Sequence, residues 1–329
     1  MSKWSGRCWV LLLGLAMLDG GVQAYEPRVA HAPLMALALQ VHGRCNPERP
    51  LLQSPAAQAR VIEGDIALDE GRAFSLRDWL MVRGSGVFSR IERIGNWHFY
   101  HPDRQAHSRI GQIEASHQNL WLGLQKGFEA NAAAHDKLLF VGGLGHLLED
   151  LSVPAHVVPV YHGPTVVEYL GPERLEPLVA YMQPQGLSIS DRIDAYPPDI
   201  PRLQSAFTAG PCTVDAGHSL ESLRLATARA TLALLAREVP DCPGVRWQAF
   251  WLEPEAGEYF GRYNVKVAGG TGQSPLFGDP GTLQGAQGQG CAFAPIAEDE
   301  RYRDFVFALH QTAIAADLQL LAWAQRNIN

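Results

Sequence analysis

Residues 131–152 read NAAAHDKLLFVGGLGHLLEDLS and constrain the fold more than any other stretch of the chain. Leu138, Leu139, Val141, Leu144, Leu148 and Leu151 recur at helical spacing, and a helix this apolar must be buried. Set into it are His146 and Asp150, four residues apart and therefore on one face. Pro154 cannot continue the helix and pushes Val153 out of helical geometry, so the turn can bring His156 back toward the same pocket. Burying three ionisable groups among leucines is costly unless they are paired or bind a metal. A buried histidine with a capping aspartate would explain HxxxD alone. The full pattern H-x3-D-x3-P-x-H is more specific, and imidazole with carboxylate donors suits zinc in an open catalytic site. Gly142, Gly143 and Gly145 leave room for other backbone to approach.

The same periodicity predicts further helices over 31–43, entered through Pro33, and over 56–71, 75–82, 108–130, 223–239 and 302–324. Between them lie YPPDIP near residue 196 and a Gly-rich, loop-like segment from Gly257 to Gly290, with a short strand or two at 262–267. There is no internal repeat, coiled coil or Walker-type phosphate loop. The pattern predicts an all-α fold, a single large multi-helix domain with a Gly-rich irregular insertion.

Residues 1–24 read as a signal peptide, with a basic start (Lys3, Arg7), an apolar core from Cys8 to Leu18 and a small-x-small cleavage site at Val22-Gln23-Ala24. That core is too short to span a bilayer, and no later run approaches about 18 uninterrupted apolar residues. The expectation is a secreted or periplasmic protein, without stable membrane insertion, whose domain covers 25–329. Net charge is −7 at pH 7, and one unit more negative without the leader, which argues against binding nucleic acid through overall charge. Cys45, Cys212, Cys242 and Cys291 remain, an even number that predicts two disulfides in one of three pairings. The absence of CxxC spacing makes a Cys-based zinc site the weaker reading.

HLLEDLSVPAH at 146–156 and NWHFYHPD at 96–103 resemble the central motif and the HFYDP segment of the exported zinc-dependent phospholipases C, a family related to the single-strand-specific zinc nucleases. The resemblance spans roughly residues 25–170. It implies an all-helical fold holding three zinc ions, with His98, His146, Asp150 and His156 as ligands. VYHGPTVVEY adds His162 and Glu168, similar to the pair that completes the family's second metal site. YEPRVAHAPL places His31 on the first helix, and Tyr25 becomes the new N-terminus whose amine and carbonyl chelate the third ion. One departure stands out. The family has an acidic ligand, also assigned as general base, ten to fourteen residues before the HFY histidine, where this chain has Val87 and Phe88. Glu92 is the nearest substitute and Asp78 lies farther back; without such an acid, two ions rather than three are expected.

The resemblance implies metal-assisted phosphodiester hydrolysis, with Asp150 bridging two ions that activate water. A third site of His156, His162 and Glu168 would clamp phosphate oxygens. The expected substrate is a phosphatidylcholine-like phospholipid at a membrane surface, with no obligate protein partner. The alternatives are a single-strand-specific nuclease, for which Arg83, Arg90, Arg93, Trp97 and Phe99 are a modest groove, and a non-catalytic metal-binding or adhesion module using the Gly-rich segment. His42 reads as suited to a helix C-terminus, and His101, His107, His117, His135, His218 and His310 as ordinary surface or core histidines.

Overall fold

The computed structural model describes residues 27–48, 51–70, 99–104, 108–110, 113–115, 117–160, 192–193, 196–209, 218–254, 261–264, 274–285 and 287–328, and 63% of the interpretable residues are helical. A π-helical turn at Pro27–His31 leads into α1 (Ala32–Cys45), which is followed by α2 (Pro55–Glu70). Next come the antiparallel strands β1 (Ser108–Ile110) and β2 (Ile113–Ala115), then α3 (His117–Ala130), α4 (Ala134–Asp150) and the short α5 (Pro154–Val157). α6 (Ile200–Thr208) and α7 (Leu220–Leu235) precede two small antiparallel pairs, β3 (Trp251–Leu252) with β4 (Arg262–Tyr263) and β5 (Gly281–Gln284) with β6 (Gly290–Phe293). The long α8 (Glu300–Asn327) closes the chain.

Local chemistry sets the helix ends. Ser54 accepts from the Ala57 N–H at the start of α2, Asp199 from Arg202 at α6, Ser219 from Ser222 at α7 and Asp299 from Arg301 at α8. Val153 is extended (φ −88°, ψ 124°) ahead of Pro154, so the chain leaves α4 and turns at once into α5.

Every residue of α4 from Leu138 to Asp150 is buried, because α4 is enclosed by α2, α3 and α8. The α2–α4 contact is made backbone to backbone. A methyl group on Gly142 would collide with the Val61 carbonyl oxygen, and one on Gly64 with that of Leu139. α8 packs on α1, α4 and α7. By length and composition α8 could cross a membrane, but its apolar residues are spent on this core, with Leu309, Ala313, Ile314, Leu320 and Leu321 wholly buried.

A second, aromatic layer covers the N-terminal end of α8. Trp247, Phe250, Trp251, Phe277, Phe293, Tyr302 and Phe305 stack or meet edge-on, the closest pair being Trp247 and Phe305 at 4.3 Å between centroids. The Cys242–Cys291 disulfide pins β6 to the turn after α7, and Cys45 is disulfide-bonded as well. Two expectations need correction. The helix predicted from residue 108 starts only at His117; residues 108–110 and 113–115 pair as antiparallel strands, to which the β-branched Ile110 and Ile113 are suited. The Gly-rich segment is not wholly irregular, because Leu283 and Phe293 face inward from the β5–β6 pair and give it a buried side.

Candidate metal centre

His146 and Asp150 share one face of α4, as their spacing requires, and His31 comes to meet them from the turn ahead of α1. All three are fully buried. The His31 and His146 rings stack with centroids 4.0 Å apart and planes at 22°. Asp150 lies across their Nε2 edges. Its Oδ1 is 3.5 Å from His31 Nε2 and its Oδ2 is 3.5 Å from His146 Nε2. The donor atoms of this trio lie within 4.8 Å of one another and can hold a metal ion. The spacing fits the chemistry, since tetrahedral bonds of about 2.0–2.2 Å put neighbouring donors about 3.3–3.6 Å apart.

On the opposite edge of the two rings sits Asp65, which α2 delivers across the glycine contact. Its Oδ1 is 3.8 Å from His31 Nδ1 and 3.7 Å from His146 Nδ1. Glu149 reaches the same edge, with Oε2 only 2.5 Å from His31 Nδ1. Behind Glu149 stands Asp317 of α8, its buried carboxyl close enough to act on that of Glu149. Four carboxyls and two imidazoles are thus enclosed with no exposure. Without a cation, burial and then the carboxylates of Asp65, Asp317 and Asp150 hold Glu149 well above the usual carboxylate range. Burial likewise pushes Asp317 up to about 7. So many acids packed together are stable only if protons or metal ions neutralise them.

His156 is also buried, and it is not a member of either donor group formed among the described residues. Its ring stacks on Phe99 at 4.9 Å, and its carbonyl accepts the Tyr100 N–H at 2.9 Å, so the segment immediately after His98 docks on α5. Arg224 of α7 braces that segment. Its guanidinium lies 4.5 Å from the Tyr100 ring centre and 5.6 Å from that of Trp121, while donating to Glu221. Farther along α7, Thr231 donates to the Leu151 carbonyl at 2.7 Å and fixes the end of α4.

Of the residues singled out in the sequence, the structure brings together His31, His146 and Asp150. Tyr25, Glu92, His98, His162 and Glu168 lie outside the described residues, as do Asp78, Val87 and Phe88. Asp65, Glu149 and Asp317 are the residues that sequence reasoning missed. Each had a visible signal. Asp65 shares a helical stripe with the buried Val61 and Leu68, Glu149 abuts Asp150, and Asp317 is a lone acid in the apolar run AIAADLQLLAW. No family model matches the chain, and neither does any curated protein or solved structure.

Proposed function

We propose that this protein is an exported, zinc-dependent phosphodiesterase of the phospholipase C type, releasing a phosphorylated headgroup from phosphatidylcholine-like lipids. The observation that carries the reading is the placement of Asp150, with one carboxylate oxygen toward His31 Nε2 and the other toward His146 Nε2, each at 3.5 Å. A carboxylate so placed is suited to bridging two ions. Asp65, beside His146, supplies an acid where residues 87 and 88 offer none, which favours three ions over two. When bound, zinc would offset charge on the phosphoryl oxygens and lower the pKa of water. The chain's own part is positional: α4 and the turn before α1 hold the imidazoles face to face, and Asp65 and Asp150 hold their edges. Docking of Phe99 and Tyr100 on His156 carries the chain that follows His98 to α5, which supports His98 as a ligand beside His146 and Asp150, and His156 as a member of the separate site with His162 and Glu168.

A second reading, a metal-binding module without catalysis, is favoured by the complete burial of His31, His146, Asp150 and His156, which leaves none of them open to a substrate. One experiment separates the readings. Zinc-loaded mature protein is assayed for headgroup release from phosphatidylcholine vesicles and, in parallel, for cleavage of single-stranded DNA. Lipid turnover supports the phospholipase, DNA cleavage alone replaces it with a nuclease, and neither activity with two to three zinc ions bound assigns the binding module.

A further inference from the structure

We propose that Glu149 and Asp317 are positioning residues behind the cation site: Glu149 accepts the Nδ1 proton of His31 and thereby commits His31 Nε2 to the metal. The inference rests on the metal-centre half of the reading above and is independent of the substrate. Geometry separates the two edges of the His31 ring. On the Nε2 edge Asp150 Oδ1 is 3.5 Å away, the separation expected of two donors on one tetrahedral ion. On the Nδ1 edge Glu149 Oε2 is 2.5 Å away. An ion bonded to both atoms at about 2.0–2.2 Å would have to subtend them at about 70–77°, far below the tetrahedral angle. His31, Asp65 and Glu149 also lie within 4.8 Å of one another as a second group able to hold an ion, but the 2.5 Å gap between His31 and Glu149 suits a proton better than a tetrahedral ion. A neutral imidazole carries one N–H, so placing it on Nδ1 leaves the lone pair on Nε2, facing Asp150. Metal-bound histidines are ordinarily oriented by a carboxylate or carbonyl at the other nitrogen, and Glu149 occupies that position for His31.

Asp317 stands behind Glu149. It is fully buried, its oxygens meet no N–H or hydroxyl donor among the described residues, and its carboxyl faces that of Glu149. It reaches Glu149 over Gly145, where a methyl group would come within 3.5 Å of Asp317 Oδ1. A helix remote in sequence thus fixes the carboxylate that fixes the imidazole. The chain Asp317–Glu149–His31 joins α8, α4 and the turn before α1, and ends at the nitrogen that faces Asp150.

The test uses the mature protein labelled with 15N-histidine, with the His31 signals assigned by their loss in His31→Gln. Long-range proton–nitrogen spectra of zinc-free protein are expected to show His31 as the Nδ1–H tautomer. Glu149→Gln keeps an acceptor oxygen and should retain that tautomer, whereas Glu149→Leu should lose it. In zinc titrations Glu149→Leu is expected to weaken affinity by about 10–100-fold at unchanged stoichiometry. Asp317→Leu should weaken it less, and Asp317→Asn, which can hydrogen-bond Glu149, should stay close to wild type. An Nε2–H tautomer in the wild type, or a lower zinc count per chain in Glu149→Gln, overturns the proposal. The tautomer is read without zinc and so decides the matter on its own. Failure of the wild type to bind zinc would instead remove the metal-centre reading.

Discussion

Two stretches of α8 bury side chains of opposite chemistry. Near its N-terminus Tyr302 and Phe305 enter the aromatic layer with Trp247, Phe250, Phe277 and Phe293. Farther along, Asp317 enters the cluster of His31, Asp65, His146, Glu149 and Asp150. The first region is stabilised by the area it removes from water. The second loses hydration that leucines would never have had, and recovers it only through internal hydrogen bonds, protons or bound ions. One helix therefore carries an apolar stretch and a stretch that enters a metal-capable cluster, and damage to each should read out differently.

The largest expected effect is at the polar end. His146→Ala should abolish metal binding, measured as zinc per chain by elemental analysis, and phosphodiesterase activity with it; unchanged metal content would show that His146 is only a packed core residue. At the aromatic end, Phe277→Ala should cost about 3–5 kcal/mol in denaturant unfolding while the folded fraction keeps its full zinc content. Loss of zinc in that variant would mean the two regions are not separable. Replacing Cys242 and Cys291 by serine opens a link across 49 residues and should cost about 2–4 kcal/mol, again with metal retained.

The last effect lies between the two regions and is absent at neutral pH. His310 of α8 is buried, and burial pushes its pKa down to about 3. The folded state therefore prefers the neutral ring, while the unfolded chain takes up a proton near the ordinary value of 6.5. Its contribution to stability is present above about 6.5 and is lost as pH falls toward 3, at about 1.4 kcal/mol per pH unit. Comparing urea unfolding of wild type and His310→Gln across that window should show the variant with the flatter slope; parallel slopes would place the acid sensitivity elsewhere.

The comparison also explains what could be read from the sequence. α4 was legible because its leucines keep one period and its polar residues interrupt it at helical spacing. α1, α7 and α8 were legible for the same reason, each to within a few residues of its ends. β1 and β2 were not, since isoleucines three apart satisfy a helix and, being β-branched, also suit strands. In the site, His146 and Asp150 could be named because one motif sets them four apart on a helix, and His31 through the family resemblance. Asp65 escaped because an acid was sought by its distance along the chain before His98, whereas helix packing delivers it from α2. Asp317 escaped for the same reason, lying on the last helix and meeting the site only through Glu149.

The backbone contact between Gly64 and Gly142 gives the centre a gauge. α2 contributes Asp65 and α4 contributes His146, so the separation of the two helices sets the bite between those donors. Two hydrogen atoms in place of two methyl groups keep that separation at its minimum. Any larger side chain there would push α2 away and draw Asp65 off the imidazole edges it faces. The distance between acid and ring is thereby set at two positions that touch neither.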